Sequence, residues 1–208
     1  MLTIILPNTA IVLERRKNGT SKNCRKTGIE GLMVVQPTVH KDGRGYFVET
    51  YNKKDFNEIG INCEFVQDNE SCSKKGVLRG LHFQNGKYSQ AKLVRVVKGA
   101  VYDVAVDLRK DSSTYGKAYG VLLTEDNFLQ FFIPENFAHG FLVVSDEAKF
   151  CYKVNKLYKP GDEGGLIWND PDVNINWPIQ EAGGLENLVF SEKDTKWPTL
   201  KELGELIK

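Results

Sequence analysis

The sequence predicts an all-β protein, an antiparallel sandwich or barrel, on three observations. From Leu32 onward, short runs rich in Val, Leu, Phe and Tyr alternate with turn residues. Helical periodicity is scarce by comparison. The length of 208 residues and the hydrophobic content of 41% suffice to bury one core and fit a single all-β domain.

The runs place strands at 32–35, 46–51, 65–69, 77–84, 92–97, 100–108, 117–123, 130–133, 140–143, 150–154 and 165–168. Between the fifth and sixth, Lys98-Gly99 reads as a tight hairpin, because glycine supplies the positive φ such turns need. In the sixth, Tyr102, Val104, Val106 and Leu108 share one face and Val101, Asp103, Ala105 and Asp107 the other, so one face admits acids. A short helix over 53–59 would stop at Gly60. Near the C-terminus, Thr199 and Glu202 have capping-box spacing before Leu203 and Ile207, which predicts a last helix carried as a surface appendage. Repeats, low-complexity tracts and interdomain linkers are not seen.

The expected organisation is one domain over 28–208 preceded by a basic extension over 1–27 that is poor in pattern. Three readings of that extension stay open: a disordered tail, a strand lent to a partner subunit, or an artefact of the assigned start. Its partly apolar stretch 2–13 contains Pro7 and Asn8, has no basic lead and is followed by Arg15-Arg16-Lys17. It matches neither a signal peptide nor a membrane span. Lys and Arg number 28 against 27 Asp and Glu, so no global field draws the protein to nucleic acid or an anionic membrane. A bound anion must be held by a local site. Cys24, Cys63, Cys72 and Cys151 are scattered without a C-x-x-C pair, which fits a reducing cytoplasm.

Only three histidines occur, at 40, 82 and 139. By alternation His82 shares a face with Leu78, Gly80 and Gln84, and it is either a hydrogen-bonded core histidine or, facing a barrel interior, a general base. Arg79, three residues earlier, would point to the opposite face unless Gly80 forms a bulge. Two histidines in a barrel raise the question of a metal, but Gln84 stands at i+2 from His82 where a second imidazole would complete a strand-borne pair, and no acid follows closely. No metal is expected.

Lys92 opens an apolar strand and shares a face with Val94 and Val96. It either snorkels to water or points inward, where its ammonium would stabilise an enolate oxygen. Tyr152, in line with Phe150 and Val154, either packs or delivers a proton opposite a base. Asp194, three residues after Ser191, reads as part of a helix N-cap box or as the carboxylate that orients His82. Asp103 is a second candidate for that partnership.

Several stretches taken together are specific: Asp42-Gly43-Arg44-Gly45-Tyr46-Phe47-Val48-Glu49, Val66 through Ser71, Gly76-Val77-Leu78-Arg79-Gly80-Leu81-His82-Phe83-Gln84, Gln90-Ala91-Lys92, Ile133-Pro134 through Phe141, and Ser191-Glu192-Lys193-Asp194. In this ordered set the chain, from about Gly28 to Trp197, resembles the dTDP-4-dehydrorhamnose 3,5-epimerase family. The resemblance implies a cupin-type jelly roll, a homodimer, no metal or organic cofactor, and conversion of dTDP-4-dehydro-6-deoxyglucose to dTDP-4-dehydrorhamnose. It implies His82 as base, Tyr152 as acid, Asp194 as the histidine's partner and Lys92 beside the sugar's keto oxygen. By the same resemblance Arg44, Glu49, Gln67, Asn69, Arg79, His139, Glu163 and Lys193 contact substrate, and Tyr158 stacks on thymine.

The chemistry agrees with these roles. A 4-ketone acidifies the hydrogens on both neighbouring carbons, and arginines give an anionic diphosphate bidentate, permanently charged partners. The long N-terminal lead departs from the family pattern and bears on the dimer edge. Rival readings are a 3- or 5-epimerase acting on one carbon, a sugar 3,4-ketoisomerase, a metal-dependent cupin oxygenase and a non-catalytic sugar-binding module.

Overall fold

The computed structural model describes residues 22–206. In chain order it contains β1 (Lys22–Lys26), β2 (Met33–Pro37), β3 (Val39–Asp42), β4 (Gly45–Val48), α1 (Lys53–Glu58), β5 (Gln67–Lys74), β6 (Leu78–Gln84), β7 (Lys92–Lys98), β8 (Ala100–Asp107), β9 (Ala118–Thr124), β10 (Gln130–Ile133), β11 (Phe137–Val143), β12 (Glu147–Val154), β13 (Glu163–Gly165) and α2 (Leu200–Leu206). These strands pair antiparallel, and an isolated parallel bridge joins Val77 to Val189. One sheet runs β1-β2-β10-β7-β12-β5, a second β13-β6-β11-β8-β9, and β3-β4 form a separate hairpin. The two large sheets face each other as a cupin-type jelly roll, all-β as expected.

Alternation along each strand sorts the side chains into three apolar layers. Between the sheets lie Val94 and Val96 of β7, Phe131 and Ile133 of β10, Phe150 of β12, Val101 and Ala105 of β8, and Phe137 and Phe141 of β11. The outer face of the five-stranded sheet, with Leu78, Leu81, Val104 and Val106, is covered by Leu166, Trp177, Ala182 and Leu203. Outside the six-stranded sheet, Val35, Leu93 and Phe132 are covered by Phe56 of α1 and by Ile61. The alternation expected for β8 holds: Asp103 is fully buried between the sheets, while Val104 and Val106 face outward into the covered layer.

The Lys98-Gly99 hairpin is a correction. β7 and β8 belong to different sheets, so this short link carries the chain across the sandwich. Gly99 is needed for a different reason than the one expected: at φ 76° a Cβ would stand 2.0 Å from the Glu147 carbonyl oxygen. β3 was not anticipated because its Val39-His40-Lys41-Asp42 sequence is polar and mostly exposed. β11 begins three residues before the expected strand and takes in His139, and β13 spans 163–165 instead of 165–168.

Residues 22–26, read above as part of the extension, pair with β2 at the sheet edge; the rest of that segment lies outside the described residues. Around α1, Asn52 caps the N-terminus through its side-chain oxygen, and Gly60 follows the helix at φ 94°. At α2 the Thr199 N–H and hydroxyl both donate to Glu202 Oε2 at 2.8 Å, and the Glu202 N–H donates back to Thr199 Oγ1 at 3.3 Å. The capping box is therefore formed. The helix is less of an appendage than expected, since Leu203 is buried in the layer over the five-stranded sheet; Ile207 lies outside the described residues. Among the described residues no helix is long and apolar enough to cross a membrane.

Candidate active site

A cavity of about 560 Å³ opens between the sheets. That volume suits a small-molecule ligand. Arg79 and His82 enter it from β6, Lys92 from β7, His139 from β11, Tyr152 from β12, Glu163 from β13, and Tyr158, Lys193 and Asp194 from the connecting segments.

Arg79 and His82 reach the same cavity because β6 carries the bulge that Gly80 permits. His82 pairs with His139 and Arg79 with Phe141, so three steps on β6 oppose two on β11. Gly80 has φ 121°, and a Cβ there would meet Gly140 Cα at 2.6 Å and the His139 carbonyl oxygen at 2.7 Å. Only glycine allows this approach. Arg79 Nε donates to Ser73 Oγ at 3.1 Å, which aims the guanidinium along the inner face of β5.

Of the two carboxylates considered for His82, the structure selects Asp194. His82 Nε2 lies 2.5 Å from Asp194 Oδ1, with the imidazole 25% and the carboxylate 2% exposed. Asp194 sits in a 3-10 turn over Lys193–Thr195 whose N-cap is Glu192 with no side-chain cap, so the expected Ser191 capping box is not formed; Ser191 hydrogen-bonds the Asp194 carboxylate instead. Burial pushes the Asp194 carboxyl pKa up, but hydrogen bonds from His82, Ser191 and Trp197 together outweigh it and leave the group below its ordinary value. Asp194 is thus held as an anion.

Asp103 instead pairs with the other cavity histidine. His139 Nε2 is 3.0 and 3.1 Å from its two oxygens, and the imidazole stacks on Phe150 with centroids 6.0 Å apart. Burial raises the Asp103 pKa despite His139 and Lys92, and burial lowers that of His139 despite Asp103. Lys92 points inward. Burial brings its pKa down to about 8 against the pull of Asp103 and Glu163. Burial also raises the Tyr152 phenol, with Arg79 opposing, so the tyrosine keeps its proton at neutral pH.

Lys193 Nζ pairs with Glu163 Oε2 at 2.8 Å near the mouth, where Tyr158 is half exposed. Gln84, in the position where a second metal-binding imidazole would stand, accepts the Lys159 N–H on Oε1 at 2.8 Å and so anchors the segment that carries Tyr158. Among the described residues no three or more His, Cys, Asp or Glu side chains are grouped to hold a metal ion.

Four expected contact residues stand outside the cavity lining. Gln67 and Asn69 lie on the same face of β5 as Ser71, which does line it, and Gln67 Nε2 donates to Asn69 Oδ1 at 2.8 Å. They extend that wall outward. Arg44 is different: it sits at the turn of the β3–β4 hairpin, 91% exposed and bound to Asp42, with Glu49 just beyond β4. Trp197, which sequence reasoning passed over, lies behind the dyad and donates to Asp194 Oδ1 at 3.3 Å. Its only sequence signal was its place three residues after Asp194.

A jelly roll holding a histidine–carboxylate dyad, an inward lysine and a protonated tyrosine around one cavity defines a cupin-type enzyme equipped for proton transfer. A family model described as dTDP-4-dehydrorhamnose 3,5-epimerase matches residues 26–202. The chain belongs to the dTDP-4-dehydrorhamnose 3,5-epimerase family. The enzyme of that name from Methanothermobacter thermautotrophicus is 52% identical over 177 residues, which cover 85% of this chain and 94% of that one. The crystal structure of the Elizabethkingia anophelis dTDP-4-dehydrorhamnose 3,5-epimerase is 48% identical with TM-score 0.82, covering 88% of this chain and 98% of that chain. That of dTDP-6-deoxy-D-glucose-3,5-epimerase from Legionella pneumophila, in complex with dTDP-4-keto-L-rhamnose, is 42% identical with TM-score 0.82, covering 90% and 95%.

Proposed function

We propose that this protein epimerises C3 and C5 of dTDP-4-dehydro-6-deoxy-D-glucose to give dTDP-4-dehydro-L-rhamnose, a step toward rhamnose for cell-surface polysaccharide. The observation that carries the reading is the His82–Asp194 dyad opening into the cavity that also holds Lys92 and Tyr152. Asp194 occupies Nε2, so Nδ1 is the ring nitrogen left to take a proton, and the carboxylate stabilises the imidazolium that results.

Removing the proton at C3 or C5 moves charge onto the 4-keto oxygen. Lys92 meets that charge as an ammonium in a site poorly exposed to water. Tyr152 then returns a proton from the face opposite His82, which inverts the carbon. No hydride moves and no redox partner is needed. Arg79 and Lys193 serve the diphosphate, Glu163 holds Lys193 in place, and Tyr158 stacks on the thymine.

The working form is a homodimer. Arg44 and Glu49, with the exposed Tyr46 and Phe47 beside them, sit on a hairpin away from the chain's own cavity, which suits residues that complete the site of a second copy. Gln67 and Asn69 line the approach between the two. Among the described residues Cys63, Cys72 and Cys151 are free thiols, which supports a cytoplasmic setting.

The test is turnover in heavy water with a reductase present to trap the product. NMR of the trapped sugar is expected to show deuterium at both C3 and C5. Deuterium at one carbon alone would reduce the activity to single-carbon epimerisation.

A further inference from the structure

We infer that Trp197 is a positioning residue for the His82–Asp194 dyad, pinning the carboxylate in the orientation from which it fixes the imidazole. The inference rests on the reading of His82 as the base. Trp197 Nε1–H donates to Asp194 Oδ1 at 3.3 Å, the same oxygen that meets His82 Nε2. The indole also stands against the imidazole, with ring centroids 6.0 Å apart and planes at 74°. The strand beside His82 is cut away to admit it: Gly165 pairs in register with His82, and a Cβ on Gly165 would lie 2.2 Å from the indole Cδ2.

A carboxylate's terminal torsion is broad and two-fold, so the hydrogen bonds of His82 and Ser191 leave Asp194 some freedom over which oxygen faces the histidine. A second donor on the same oxygen removes that freedom. An indole N–H donates and never accepts, so Trp197 cannot compete with Asp194 for the histidine's proton, as a hydroxyl or a second imidazole would. The ring is absent from the cavity lining, so it acts through Asp194 and leaves the substrate space clear.

Trp197→Phe keeps the aromatic packing and deletes the N–H. The expected result is a fall in kcat of about tenfold, the worth of one hydrogen bond to a charged group, with KM held within about twofold. In proton NMR, the far-downfield resonance of the short His82–Asp194 bond is expected to move. A lower Tm with kcat and that resonance unchanged means packing only and overturns the role. Should the variant not fold, wild-type protein made with 5-fluorotryptophan strengthens the N–H as a donor without moving the ring. A shifted dyad resonance then supports the role and an unshifted one overturns it. Trp177 spends its own N–H on the Trp168 carbonyl, away from the dyad. If His82→Ala abolishes exchange while Trp197→Phe changes neither readout, the role of Trp197 fails alone. Exchange surviving in His82→Ala removes the base and the role of Trp197 with it.

Discussion

His82 and Asp194, 112 residues apart in the chain, meet at 2.5 Å with the carboxylate almost wholly buried. Asp194 fixes the ring, and Arg79 and Lys92 line the same cavity.

Asp194→Asn keeps the shape and removes the charge. Losing the anion behind an imidazole base is expected to lower kcat roughly a thousandfold, with little change in KM. Steady-state kinetics on the purified variant check this. A fall of only a few-fold would assign Asp194 to folding rather than to the dyad.

Lys92 stabilises an enolate only as an ammonium. Its pKa of about 8 means that the charge is nearly complete at neutral pH and below, is half lost near pH 8 and fades above it, so kcat/KM is expected to show an alkaline limb near there. Lys92→Arg, whose charge does not titrate in this range, should move that limb upward. An unmoved limb in the variant would detach it from Lys92.

Mixing two inactive variants tests the shared site. Coexpressed Arg44→Ala and His82→Ala chains are expected to recover activity, because a mixed dimer holds one site with an intact histidine facing an intact partner arginine. Each variant alone should stay poorly active at any concentration. If the mixture is no better than its parts, Arg44 does not act across the dimer.

Asp107 makes a prediction about stability rather than catalysis. Burial pushes its carboxyl up, but hydrogen bonds from Arg109, Ser112 and Thr114 outweigh that and bring its pKa down to about 2 from 3.8. The folded state then binds the proton more weakly than the unfolded chain, so the stabilisation is present above pH 4 and lost as the pH falls toward 2. Asp107→Asn is expected to cost about 2 kcal/mol at pH 7 in urea unfolding, with the gap to wild type closing in acid. A gap constant with pH would contradict the linkage.

Much of this was legible in advance, and the failures have physical causes. Alternation alone sorted β8, because a period of two fixes faces without knowledge of the partner strand. The Lys98-Gly99 link failed because a glycine turn looks the same whether the chain reverses within a sheet or crosses between two. Spacing raised a bulge at Gly80 as the condition for Arg79 to face the cavity, but register against β11 was needed to establish it. Spacing could not choose between Asp103 and Asp194, since each depends on where a distant strand or turn packs, and only the family resemblance pointed to Asp194. Trp197 was missed because its partner space is made by Gly165, in another strand.

The central claim is that one base, His82, serves both carbons. It is tested most directly by incubating His82→Ala with the 4-keto sugar nucleotide in heavy water and following the C3 and C5 protons by NMR, with calorimetry on dTDP to verify that nucleotide binding is retained. The expected result is loss of exchange at both positions with nucleotide affinity close to wild type. Exchange persisting at either carbon would contradict the account.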